Sequence, residues 1–203
     1  YDFNAADVAQ RRLKNLSLSY LMELPDPRNV QLCLQHYQQA NNMTDSLSAL
    51  IALSNRDCDQ CRQALDDFYK RWSNDVLVVN KWLSVQAMSH LPGTLDRVRA
   101  LTSHEAFDIK NPNKVRALIG TFCTANQAQF HAANGSGYEF LTEYVSRIDA
   151  LNPQIAARLL TPLTRWKRMD SDRQALMKQA LEKILSHKDL SRDVFEIASK
   201  SLA

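Results

Sequence analysis

Glycine is scarce, with four residues in a chain of 203. Long alternations of apolar and polar residues are missing too. Half-buried strands need a period of two and tight hairpins favour glycine, so a sheet-rich fold is excluded. No run of ~20 apolar residues occurs, which argues against a transmembrane helix. No positively charged start leads into an apolar stretch, so no signal peptide is expected. The first residue is Tyr1, as in an excised fragment or a processed chain. Charge of one sign is not in large excess: 25 basic and 22 acidic residues are mixed along the chain, for a net +3. A nucleic-acid binder gathers its Lys and Arg on one face or stripe, and this distribution does not. Cysteine is limited to Cys33, Cys58, Cys61 and Cys123. Cys58 and Cys61 make one CxxC, half of a tetrahedral zinc site at best, with no second CxxC or HxxxH to complete it. A redox CxxC belongs beside a βαβ pattern, which is absent. The four read as ordinary thiols of a reducing compartment, and the expected location is the cytoplasm.

What is present is helical spacing. Leu13, Leu16, Tyr20 and Leu24 recur at helical intervals, as do Leu65, Phe68, Tyr69 and Trp72. Leu176, Met177, Ala180, Leu181, Ile184 and Leu185 form a broad apolar stripe. Each predicts an amphipathic helix with one buried face. Asp26-Pro27, Asn111-Pro112, Asn152-Pro153 and Thr161-Pro162 read as helix starts. In each, a capping side chain precedes a proline, whose missing N–H costs nothing in the first turn. Ser171 with Gln174 reads as a capping box, and Ser136 as a cap after the Asn134-Gly135 turn. Leu91-Pro92-Gly93 is a clear break. The pattern predicts helices over 5–24, 27–40, 44–54, 57–72, 75–89, 94–102, 112–122, 137–149, 153–160, 162–168, 172–186 and 191–201. Val76 to Val79 is β-branched enough for a strand, but its continuation through Trp82 and Val85 favours a buried helix. The Asn-Pro starts at 111 and 152 lie about one armadillo-type repeat apart. The expected fold is therefore all-α, an α-solenoid of paired antiparallel helices of armadillo or HEAT type. With no linker rich in Pro, Gly or Ser, residues 1–203 read as one domain.

The motif search finds no active site. His104-Glu105-Ala106-Phe107-Asp108 starts like a zincin motif but carries Asp where the second histidine must stand. His36, His90, His131 and His187 are scattered, with no partner at metal-ligand spacing. Asn134-Gly135-Ser136-Gly137 lacks the lysine of a P-loop and the spacing of a dinucleotide fold. No catalytic residue and no metal ligand is assigned.

Several ordered strings carry more information. They include Asn111-Pro112-Asn113-Lys114-Val115-Arg116-Ala117-Leu118-Ile119-Gly120, Gly135-Ser136-Gly137-Tyr138-Glu139-Phe140-Leu141, and Asn152-Pro153-Gln154-Ile155-Ala156-Ala157-Arg158-Leu159. Arg165-Trp166-Lys167-Arg168 follows, and Arg11-Arg12-Leu13-Lys14-Asn15, Lys70-Arg71-Trp72 and Ser191-Arg192-Asp193-Val194-Phe195-Glu196 extend the series over essentially the whole chain. The series resembles the C-terminal helical domain of bacterial alanyl aminopeptidases, the aminopeptidase N group of the M1 zinc metallopeptidases.

The resemblance implies a fold of stacked helix pairs that packs over a thermolysin-like zinc domain and closes a large cavity. The zinc and its HExxH would belong to that other domain. This fragment, expected to cover part of the family's C-terminal domain, would hold no cofactor and be inactive alone. Its expected partners are the catalytic domain of the same parent chain and peptide substrates, with no nucleic acid and no membrane. Residues at matching motif positions would face the cavity: Arg116, and Gln154 with Arg158 one helical turn apart. Tyr138 could join them, although a core tyrosine suits its context better. Lys114 stands where the family often has Arg, keeping charge and losing bidentate geometry. Without the resemblance, these arginines read as surface charges or partners of Asp149 and Glu143. The other reading of the whole chain is a free-standing helical-repeat scaffold for a protein partner.

Overall fold

A computed structural model describes residues 4–203. Among the described residues every regular element is helical, and the chain packs as two compact units, residues 1–91 and 92–203. The boundary falls at Leu91-Pro92-Gly93. Gly93 has φ +82, the left-handed region that glycine tolerates without strain.

The first unit contains α1 (Ala5–Glu23), α2 (Pro27–Gln39), α3 (Met43–Ser54), α4 (Asp59–Trp72) and α5 (Val76–Met88), close to the expected spans. Local chemistry starts several of them. The Asp26 carboxylate accepts from Arg28 N at 2.9 Å, with Pro27 in the first turn. Asp75 accepts from Leu77 N and Val78 N, which commits the β-branched run that follows to a helix. Trp82 then donates its indole N–H to Leu65 O at 2.9 Å and locks α5 to α4. Apolar α3 lies at the centre and touches the four other helices. Leu50, Leu53, Phe68 and Leu83 are completely buried.

One expectation fails here. The Leu13, Leu16, Tyr20, Leu24 stripe is not buried: these residues are 68%, 55%, 71% and 56% exposed. α1 instead buries Leu18 and Met22. Lys14 Nζ and Asn15 Nδ2 donate to the buried Asp45 carboxylate at 2.6 and 2.9 Å. Lys14, Leu18 and Met22 are spaced by four, so the anchor selects that face and turns the leucine stripe outward.

The second unit contains α6 (Thr94–Leu101), α7 (Pro112–Val115), a π-helical turn (Arg116–Gly120), α8 (Thr121–Ala125), α9 (Gln127–Phe130), α10 (Ser136–Asp149) and α11 (Pro153–Leu159). A 3-10 segment (Leu163–Arg168), α12 (Ser171–Leu185) and α13 (Arg192–Leu202) complete it. The caps at Asn111 and Asn152 form as expected: Asn111 Oδ1 accepts from Asn113 N at 3.0 Å, and Asn152 Oδ1 from Ile155 N at 3.1 Å. Three others do not. Asp170, not Ser171, caps α12 by accepting from Arg173 N, and Gln174 reaches back to Met169 O. The chain is already extended at Asp170, so that earlier carboxylate takes the free N–H. The Thr161 hydroxyl donates to Arg158 O, the end of the preceding helix, and caps nothing. Ser136 is the first residue of α10, and Asn134 Oδ1 accepts its N–H. The expected apolar stripe of α12 does form, with Met177, Ala180, Leu181 and Ile184 buried.

The core of this unit is aromatic. Phe122 meets Phe130 and Phe140 edge-on at 6.2 and 5.5 Å between ring centroids, the geometry that ring quadrupoles favour. α10 approaches α9 so closely that a Cβ on Gly137 would lie 2.2 Å from Phe130 O.

Candidate functional site

Arg116 begins the π turn in the otherwise α-helical run from Pro112 to Ala125. A π turn holds one residue more than an α turn and often occurs at functional positions. Here Thr121 Oγ1 donates to Arg116 O at 3.2 Å across five residues, and Thr124 Oγ1 donates to Gly120 O at 2.7 Å. The exposed Arg116 side chain folds back on its own helix start. Its Nε donates to Pro112 O at 3.3 Å, and its guanidinium meets Asn113 Oδ1. Half-buried Lys114 sits beside it, its pKa lowered by burial against the opposing pull of Asp108.

Gln154 and Arg158 lie on α11, four residues apart and so on one face. Both are exposed, and neither side chain has a hydrogen-bond or ionic partner among the described residues. Asp149 and Glu143 do not claim the candidate arginines. Asp149 accepts from Ser191 N at 2.8 Å, and Glu143 pairs with Arg99 at 2.8 Å and Arg147 at 3.5 Å. The π turn approaches α11 at one point: a Cβ on Gly120 would lie 3.8 Å from the Leu159 side chain. That approach brings Gly120 near Leu159, while the Arg116 side chain itself is turned back onto Pro112 and Asn113.

Tyr138 is a core residue. Its ring is buried, and its hydroxyl lies 2.8 Å from His131 Nδ1. Burial raises its pKa. His131 shifts the other way, lowered by burial and then by the nearby Arg173 charge, and is neutral near pH 7.

A cleft of about 240 Å³ opens beside this core. Arg165 and Arg168 of the 3-10 segment stand on its wall, with Cys123 and Met177 among its apolar residues. The sequence reading did not single these arginines out as site residues. The signal available was the basic run around Trp166, since Trp166 buries and leaves the flanking charges outside.

The remaining candidates do not come together in a site among the described residues. His104 lies in a turn and accepts from Ala106 N at Nδ1. Cys33, Cys58, Cys61 and Cys123 are not joined in disulfides. Among the described residues, no three His, Cys, Asp or Glu side chains are grouped to hold a metal ion. No described helix is long and apolar enough to cross a membrane.

The family described as "Domain of unknown function (DUF3458_C) ARM repeats" matches residues 1–203. Aminopeptidase N of Haemophilus influenzae is 41% identical over 203 residues, covering all of this chain and 23% of that protein. Aminopeptidase N of Escherichia coli is 40% identical over 204 residues, again covering all of this chain and 23% of that protein. A crystal structure of Legionella pneumophila aminopeptidase A in complex with aspartic acid superposes with a TM-score of 0.93 at 37% identity. That superposition covers 98% of this chain and 24% of the Legionella protein. The chain therefore spans about a quarter of the length of these relatives.

Proposed function

Because the chain belongs to the DUF3458_C family of ARM-repeat domains and corresponds to the C-terminal part of bacterial aminopeptidase N, we propose that it caps the active-site cavity of a zinc-dependent M1 aminopeptidase. In this reading residues 1–203 work as one domain of that larger chain. They limit access to short or extended peptides and hold the peptide downstream of the residue being removed. The zinc and the bond-breaking groups belong to the catalytic domain, with which this chain packs, in the bacterial cytoplasm.

The observation that carries the reading is the state of Gln154 and Arg158. Both present unused hydrogen-bonding groups on one helix face, and one is a fixed positive charge. An extended peptide offers carbonyl oxygens along its length and a carboxylate at its end. A guanidinium can bind either, and a carboxylate in bidentate fashion. Arg116 adds a second cation, held by Asn113 at the π turn. The outward stripe of Leu13, Leu16, Tyr20 and Leu24 supports the packing half of the proposal. Contiguous exposed apolar residues on one helix face are characteristic of a surface covered by a partner, and here we assign that cover to the parent chain.

The test compares Arg158→Ala with the unaltered parent enzyme on an alanine arylamide and on penta- and hexapeptides. The expected result is a fall in kcat/KM for the peptides by about tenfold, one charge-assisted contact, with the arylamide nearly unchanged. Equal loss on both substrates, or loss on neither, removes Arg158 from peptide binding. A separately produced catalytic portion that neither binds this chain nor changes activity with it would favour an independent scaffold.

A further inference from the structure

We propose that the cleft between α8, α9, the 3-10 segment and α12 is a second binding site, distinct from the Gln154–Arg158 face, that takes a free carboxylate with an apolar residue attached: the C-terminal end of a short peptide.

Its construction follows from the 3-10 geometry of Leu163–Arg168. With three residues per turn, side chains at i and i+3 eclipse. Leu163 and Trp166 form one such row, and both are buried. Trp166 is fastened by its indole N–H, which donates to Ser201 O at 2.9 Å, and Lys178 Nζ lies 4.2 Å from the ring centroid. Arg165 and Arg168 form another row. Burial of the first row leaves this second row on the cleft wall, with two guanidiniums on the same side of the segment.

Neither guanidinium has a hydrogen-bond or ionic partner among the described residues. The neighbouring arginine is not available, because Arg173 pairs with Asp170 at 2.7 Å and donates to His131 O at 2.8 Å. No Asp or Glu lines the cleft. Two unneutralised cations on a recess of mixed lining, with Cys123, Pro162, Met169 and Met177 as its apolar part and Thr124, Gln127, Thr161 and His131 as its neutral polar part, suit an anion joined to an apolar group and a peptide bond. About 240 Å³ admits the end of a peptide and not its length. The absence of any acidic lining residue selects further, since a free amino acid would bring its ammonium group close to the same guanidiniums. A peptide terminus carries no such charge.

The choice of ligand rests on the peptide-handling reading above, and the site is tested without catalysis. The 203-residue chain is titrated with acetyl-Ala-Ala-Leu as the free acid and as the C-terminal amide, followed by calorimetry or chemical shifts. The acetyl cap removes the amine that an aminopeptidase must engage, so loss of Arg158 function and loss of this site give separate results. The expected outcome is binding of the acid at least tenfold tighter than the amide. Arg165→Ala and Arg168→Ala should each weaken it about tenfold, and Arg→Lys less than Arg→Ala because charge remains while the fork is lost. Both side chains are exposed, and unchanged circular dichroism will confirm folding. Free leucine and inorganic phosphate serve as competing anions and should bind more weakly. Equal binding of acid and amide, full binding by both alanine variants, or no binding of the acid up to about 10 mM overturns the site. Phosphate or leucine binding as tightly as the acetyl peptide overturns the assignment of a peptide terminus.

Discussion

Replacing Gly137 by alanine tests the close approach of α10 to α9 in the second unit. The new Cβ would lie 2.2 Å from Phe130 O and 2.8 Å from both Phe130 C and Cα. All three are backbone atoms, so no side chain can rotate to make room. Carbon and carbonyl oxygen approach to about 3.3 Å without repulsion, so α10 and α9 must part by roughly 1 Å. Interiors packed like organic crystals yield little, and Phe130 is also held edge-on by Phe122 and Tyr138. Alanine recovers up to about 1 kcal/mol of helix propensity. Overpacking against fixed atoms costs about 3 kcal/mol or more. The net loss is about 2 kcal/mol or more, or roughly 4–8 °C in the transition of this unit for each 2 kcal/mol in a chain this long. Urea and thermal denaturation followed by circular dichroism measure it. Gly93→Ala is the control: nothing lies within 4 Å of its Cβ, and it pays only for φ +82, about 1–2 kcal/mol. If Gly137→Ala proves as stable as the unaltered chain, or costs less than Gly93→Ala, the contact does not constrain the fold.

Asp45→Asn should lower the stability of the first unit at pH 7 by about 1–2 kcal/mol, a moderate loss because Lys14 is half exposed and rehydrates. Burial raises the Asp45 pKa, but hydrogen bonds from Lys14, Asn15 and Asn42 outweigh it and hold the group below 3.8. A depressed carboxylate pKa stabilises above the unfolded value and loses that contribution as pH falls through the folded one. The denaturation curves of the two proteins should therefore converge in acid, and a constant gap from pH 7 into the acid range refutes the carboxylate as the source. Leu13→Gln with Tyr20→Gln should change stability by about 0.5 kcal/mol or less, since both side chains are mostly exposed. The same pair should weaken association with the separately produced catalytic portion of the parent, and unchanged affinity removes this stripe from the contact.

The parts of the fold that could be read from the sequence are those decided by neighbouring residues. Asp26, Asn111 and Asn152 cap the helices expected of them because the acceptor and the free N–H lie within three residues. Misreadings arose where two local solutions compete or where a distant group decides. Asp170 displaced Ser171 as a cap because both oxygens lie near the same first turn. The stripe on α1 has the correct period, but a periodicity does not say which of two faces will find a partner. Asp45, some thirty residues away, chose the other one. In the candidate site, the shared face of Gln154 and Arg158 followed directly from their spacing. The closure of Arg116 onto Asn113 did not, nor did the pairing of Arg165 with Arg168. Both depend on departures from α geometry, a π turn and a 3-10 segment, that apolar periodicity does not encode.

The π turn also sets a rule for insertion and deletion. An α-helix advances about 100° per residue, so the extra residue between Arg116 and Gly120 is a phase shift stored in the chain. Deleting one residue there would let the run from Pro112 to Ala125 become uniform α-helix, with its hydrogen bonds intact. It would also rotate everything upstream by about 100° relative to α8, carrying Asn113 and Arg116 away from their present bearing. A relative with one residue fewer in this segment could keep the helix and still point its cation elsewhere, so length here is a record of direction.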